Sequence, residues 1–377
     1  MLAERRYDID WLRVIAIGLL LIYHIAIAFQ PWGVLIGFIQ TNDPMESVWI
    51  PMSMLNIWRI PLLFFVSGMG VWFAIQRRNW KQLLTERSKR ILLPFLFGMT
   101  VIIPIHVFIW QDYYHQKLRY IFNPSHLWFL GNIFIYVLVL SPIFFFLKKN
   151  QGGRVHQMIK RFTNNSLGLL ILMIPFILEA EIVSPSEFEV YAMTTHGFFL
   201  GLIAFLTGFL CVYSGSGFWE EVTKRRWVLL TIAVVMYFIR LLIFDLRTPN
   251  YLMAIESFHW IMAIFGFGYK HLNKPSHALS YLSQAAYPVY IIHMVFIYLG
   301  SWLFFQSDIH VIFQFVLLNI FTFAGSFITY EFAIRRAKIL RPLFGLKQID
   351  NSFDVSATEQ QHDKSRNRKI EIQTMET

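Results

Sequence analysis

Cysteine occurs once in the chain, at Cys211, so neither an internal disulfide nor a cysteine-based zinc site can form. Charge is also scarce. Asp, Glu, Lys and Arg make up 15% of the 377 residues, against roughly a quarter in an average soluble domain. A phosphate-binding loop of the Walker type, a G-x-G-x-x-G fingerprint and an H-E-x-x-H helix are absent. So is a G-x-S-x-G elbow. These gaps remove the main sequence support for an ATP-driven pump, a lipase-type hydrolase and a zinc metalloprotease. What fills the chain is apolar: it is 56% hydrophobic, with 38 Phe, 16 Tyr and 12 Trp and a mean hydropathy of +0.50. On a water-facing surface these side chains would aggregate, whereas lipid and its interfaces accommodate them. A soluble enzyme, a disordered regulator and a fibrous protein are excluded.

A spanning helix needs about 20 mostly apolar residues. The sequence offers about ten such segments, near 11–29, 53–75, 91–111, 127–147, 166–183, 195–213, 226–244, 252–270, 285–305 and 311–333. The expected fold is therefore an all-α integral membrane bundle, without an internal repeat and without an inserted soluble domain. Breakers such as Asn42-Asp43-Pro44 and Thr248-Pro249-Asn250 separate the segments. On alternate sides of these spans the cations are unequal: 18 Lys and Arg in the even-numbered loops and N-terminus, nine more from Arg335 onward, and three in the opposite loops. By the positive-inside rule both termini are expected in the cytoplasm. The first span is too long for a signal peptide and lacks a cleavage site. Residues 1–346 read as one membrane domain, and 347–377 as a polar, disordered cytoplasmic tail.

Ionisable side chains inside spans are expensive, so they usually line a cavity or pair with one another. Arg13 and His24 stand eleven residues apart in the first span. At 100° per residue they diverge by only about 20°, so both project from one face, about 16 Å apart along the axis. Asp10, one turn before Arg13, can orient its guanidinium. Snorkelling of Arg13 to headgroups and an interhelical hydrogen bond from His24 form the bland alternative; the shared face favours function. Arg59, Arg240, Glu256 and His259 fall in the same outer layer as His24. Arg240 and Glu256 belong to one hairpin and suit an ion pair, structural or catalytic. Glu256 with His259 resembles two metal ligands, but no further ligand is spaced to complete a site. At the other end, Arg77, Arg78, Lys81, Arg87, Lys89 and Arg90 suit anionic lipid or a phosphate clamp. His293 lies about 12 Å into the ninth span.

Several of these pieces, in order, resemble the acyltransferase 3 family of integral membrane enzymes. They are Asp10-Trp11-Leu12-Arg13 with His24, the run Arg59 to Gly68, Arg87-Ser88-Lys89-Arg90 with Pro94, and Tyr290-Ile291-Ile292-His293. His126 to Leu130 and Tyr330-Glu331 are similar to the branch that succinylates periplasmic glucans. The resemblance covers nearly all of 5–346. It implies acyl-CoA as donor substrate, no permanently bound cofactor, and transfer of an acetyl or succinyl group to a hydroxyl of an extracytoplasmic polysaccharide or glycolipid. Membrane lipids are the other expected partners, nucleic acid is not one, and a bacterial inner membrane is the expected location. The implied catalytic residues are His24 as general base, with Arg13, Glu256, Arg59 and Arg240. Arg13, Arg87, Arg90, Tyr290 and His293 would hold the donor. A transporter or glycan flippase would also bury such charges, but commonly with inverted repeats that this sequence lacks.

Overall fold

Hydrocarbon offers no partner to a backbone N–H or C=O, so a chain this apolar must satisfy them within helices. A computed structural model of the protein describes residues 5–348, and among these there is no strand. The helices are α1 (Tyr7–Ile27), α2 (Trp49–Gln76), α3 (Trp80–Tyr113), α4 (Trp128–Lys149), α5 (Arg154–Thr163), α6 (Ser166–Val183), α7 (Thr195–Tyr213), α8 (Ser216–Leu242), α9 (Asn250–Leu272), α10 (His277–Phe304), α11 (Val311–Ile334) and the short α12 (Leu340–Leu343). Nine of them are long and apolar enough to cross a membrane. The expected segment 226–244 falls in α8, a 27-residue helix. Its apolar run is interrupted by Arg225 and Arg226 near one end and Arg240 near the other. The polar stretch expected at 347–377 lies, from residue 349 on, outside the described residues.

Two local features decide how the bundle presents its polar side chains. Helix α3 is continuous but widens into π turns at Ser88–Leu92 and Gly98–Ile102. Pro94 and Pro104 follow these turns by two residues. A proline ring crowds the carbonyl four residues earlier, here that of Arg90 or Thr100, and the wider turn makes room for it. The second feature is the crossing of α2 and α7. A Cβ added at Gly68 would stand 1.9 Å from the carbonyl oxygen of Phe205, and one at Gly208 would stand 2.1 Å from that of Phe65. Small residues thus let two backbones touch, the usual means of joining helices in lipid. This contact fixes α2 as the buried centre of the bundle, with α1, α4, α7 and α9 around it.

Helix α1 packs against α2, α9 and α10. Beyond its end, residues 28–48 fold back over the bundle. Phe29 and Phe38 are buried there, Thr41 Oγ1 donates to Gln314 Oε1 at 3.1 Å, and the Tyr298 hydroxyl donates to the Gly37 carbonyl at 2.6 Å.

Candidate functional site

One face of α1 lines an internal cavity of about 610 Å³ with Arg13, Ile17, Leu20 and His24. The 3.6-residue period requires these four to share a face. Arg87 and Arg90 of α3 reach the same cavity, as do Ser283, Gln284, Tyr287 and Tyr290 of α10 and His126 just before α4. Among the described residues, those lining it include Arg13, Arg87, Arg90, Arg341 and Lys347 and no Asp or Glu. Arg13 and His24, placed together by the helical period alone, therefore belong to one continuous space.

At the His24 end the hydrogen bonds dictate the tautomers. His293 Nδ1 lies 2.6 Å from the carbonyl oxygen of Tyr290. A carbonyl only accepts, so Nδ1 carries the proton and neutral His293 offers a lone pair at Nε2. His24 Nδ1 lies 2.9 Å from that Nε2 and must donate to it. The proton of neutral His24 is thereby assigned to Nδ1, and its Nε2 keeps a basic lone pair. His126 repeats the pattern: its Nε2 donates to the Ile291 carbonyl at 3.1 Å, and its buried Nδ1 has no hydrogen-bond partner. The rings of His24 and His126 each lie 5.2 Å from that of His293. Phe38 covers His24 from the side of residues 28–48, with ring centroids 6.1 Å apart. The site is an imidazole base with a defined free nitrogen, walled by aromatic rings.

The other end is cationic. Arg13 Nη1 lies 3.6 Å from Asp10 Oδ1, and Asp10 also pairs with Arg5 at 3.1 Å. Arg87 and Arg90 share Glu86, at 3.4 and 3.3 Å. A second cavity, of about 900 Å³, shares Arg13, Gly70, Arg87 and Arg90 with the first. Arg5, Arg6, Arg77, Arg78 and Lys160 line it as well, and its acidic residues among those described are Asp10 and Glu86. The two cavities share this basic end, and the smaller of them reaches His24.

The remaining predicted residues sit elsewhere. Arg240 Nε donates to Glu256 Oε2 at 2.7 Å, and Nη2 donates to Glu256 Oε1 at 3.1 Å and to the Ser53 carbonyl at 3.2 Å. Trp260 Nε1 adds a 3.4 Å contact to the same carboxylate. Both partners are buried, and neither lines the cavity of His24. His259 Nδ1 donates to the Ile255 carbonyl of its own helix at 2.8 Å. Arg59 is 2% exposed, lies 3.7 Å over the Tyr23 ring, and leaves Nε and Nη1 without a hydrogen-bond partner. Tyr290, expected at the donor site, does line the cavity, and its hydroxyl donates to the His126 carbonyl at 2.5 Å. His293, which the resemblance assigns to donor binding, accepts from His24 Nδ1. Their separation of 269 residues hides this contact from the sequence. His126 was noticed only as part of a family-like run, and Arg341 and Lys347 were not singled out.

A family model described as an acyltransferase domain, that of the acyltransferase 3 family, matches residues 6–331. No curated protein and no solved structure matches the chain.

Proposed function

Because the chain belongs to the acyltransferase 3 family and is a multi-pass membrane protein, we propose that it carries an acetyl or succinyl group from acyl-CoA to a hydroxyl of an extracytoplasmic glycan. The observation that carries this reading is the single cavity running from Arg13, Arg87 and Arg90 to His24. A thioester donor has phosphates at one end and its reactive carbonyl at the other, joined by a long flexible arm. The basic end suits the phosphates, since Arg offers a fork of donors to each. The smaller cavity suits the pantetheine, and the imidazole suits the reacting end. In this reading the basic end faces the cytoplasm, as the positive-inside rule requires.

The reaction then follows from the tautomers. The acceptor hydroxyl hydrogen-bonds to His24 Nε2 and attacks the thioester carbonyl carbon while its proton moves to that nitrogen. His293 Nε2, still accepting from His24 Nδ1, stabilises the imidazolium. The tetrahedral intermediate collapses by breaking the carbon–sulfur bond, and the departing thiolate takes the proton from His24. An ester and free CoA leave, and His24 is neutral again. Arg59 is the candidate for stabilising the oxyanion: its neighbour Ile60 lines the cavity of His24 and two of its nitrogens are uncommitted, whereas Arg240 is paired bidentately with Glu256 away from that cavity.

The test is mass spectrometry of surface and periplasmic glycans from cells that make wild-type protein, His24→Ala or none. An acyl mass shift with wild type alone is expected, and its size distinguishes acetyl from succinyl. Full modification by correctly inserted His24→Ala would refute the role given to His24.

A further inference from the structure

The family match ends at residue 331, yet the cavity of His24 is also lined by Arg341, Gly345, Leu346 and Lys347. The chain after α11 has therefore come back to the mouth of the cavity. Its return is well anchored. Arg341 Nη1 donates to the Arg335 carbonyl at 2.7 Å and Nε to the Lys347 carbonyl at 2.8 Å, which closes residues 335–347 into a compact turn. Phe344 is 4% exposed and meets Phe97 of α3 edge-on at 5.5 Å. Gly345 makes the closest approach. Its φ is +72°, and a Cβ there would stand 2.6 Å from the Tyr287 ring and 2.9 Å from the Arg90 carbonyl oxygen. A side chain at this position is disfavoured both by the left-handed backbone and by space. The turn is thus pressed against Arg90 in the first π turn of α3, and it brings two more cations to a cavity whose lining, among the described residues, contains no acid.

We infer that residues 335–347 complete the donor's phosphate site, with Arg341 and Lys347 contacting phosphate groups that Arg13, Arg87 and Arg90 do not fully neutralise. The inference rests on the acyl-CoA reading above. A coenzyme with a diphosphate and a further phosphate monoester carries several negative charges, and of the other cations lining the cavity of His24 two, Arg87 and Arg90, share Glu86. The catalytic part of the family domain would then take its donor through an entrance that a segment beyond that domain helps to build. It follows that C-terminal changes act on donor affinity and leave the step at His24 intact.

The experiment measures CoA affinity of the purified full-length protein in detergent by calorimetry, over a series of salt concentrations. Lys347→Gln removes only a charge, since the turn uses the backbone carbonyl of Lys347. It is expected to weaken CoA about 3- to 10-fold and to flatten the salt dependence. Arg341→Gln, which also unpins the turn, is expected to cost more, and Gly345→Val is expected to resemble it by displacing the turn. Arg87→Gln serves as the reference for the core site. If Arg87→Gln weakens CoA while Lys347→Gln and Arg341→Gln bind as wild type, the role of the turn is refuted and the donor reading stands. If wild type itself binds no CoA, the donor reading fails and takes this inference with it.

Discussion

The molecule holds two buried polar clusters, and they differ in one respect. In the first, around Arg240, the guanidinium is paired: Glu256 takes it bidentately through Nε and Nη2, the Ser53 carbonyl accepts from Nη2, an indole N–H meets the same carboxylate, and Nη1 faces Glu189 at 3.9 Å without a hydrogen bond. In the second, around His24, the hydrogen bonds run in one direction and end on a nitrogen that still has a lone pair. The first cluster is closed and the second opens on a cavity. Burial alone does not separate them, because both lie in the bundle. What separates them is whether the arrangement leaves chemistry undone. A satisfied ion pair in a low-dielectric interior is structural until something displaces it. A base held in one tautomer beside a void is prepared for a partner.

Mutations can break that contrast. The largest effect is expected for His24→Ala: a loss of about 10²- to 10⁴-fold in kcat, with thermal stability in detergent close to wild type. The converse is expected for Glu256→Ala. It strands the Arg240 guanidinium without its carboxylate and should cost about 3–5 kcal/mol of stability. Much of that should return in the double variant Arg240→Met/Glu256→Leu, where neither charge is left alone. If Glu256→Ala keeps its unfolding midpoint but loses activity, the assignment of this pair to structure is wrong. His293→Ala should lower kcat about 10- to 100-fold, since His24 loses the acceptor that fixes its tautomer. A His293→Gln protein retains an acceptor oxygen and should recover part of the rate. Equal losses in both would mean that His293 fills space and does not position His24.

How much of this the sequence could disclose depends on the range of the interaction. Spans are local, since an apolar run declares itself, and the structure has helices where the runs are. The face shared by Arg13 and His24 is also local, because one helix fixes both angles. The Arg240–Glu256 pairing was within reach too, because only a short connection joins α8 to α9. The pairing of His24 with His293 was not. It depends on how α1 and α10 are rotated about their own axes, which is set by packing throughout the bundle. The π turns of α3 were hidden for a similar reason: a proline announces a disturbance in a helix but not its form. The return of residues 335–347 to the cavity mouth has no periodic signal at all. It depends on one glycine at positive φ and on contacts with Phe97, Tyr287 and Arg90.

Arg59 sharpens the comparison most, because it belongs to neither cluster. It is buried like Arg240, yet it lies over the face of Tyr23, and among the described residues two of its nitrogens have no acceptor. A guanidinium in that position has lost its hydration and regained a cation–π attraction of about 2 kcal/mol or less. Replacing it with an apolar side chain of similar length removes both terms together. Arg59→Met is therefore expected to change stability by less than about 1 kcal/mol in either direction, far less than Glu256→Ala. Thermal unfolding of the two variants side by side measures the difference. A collapse of Arg59→Met as large as that of Glu256→Ala would mean that Arg59 has a full set of partners, bound water included, and belongs with Arg240. Preserved stability joined to lost acyl transfer would place its uncommitted N–H groups on the reacting species, because a group that does not support the fold and is still required must act on what enters the site.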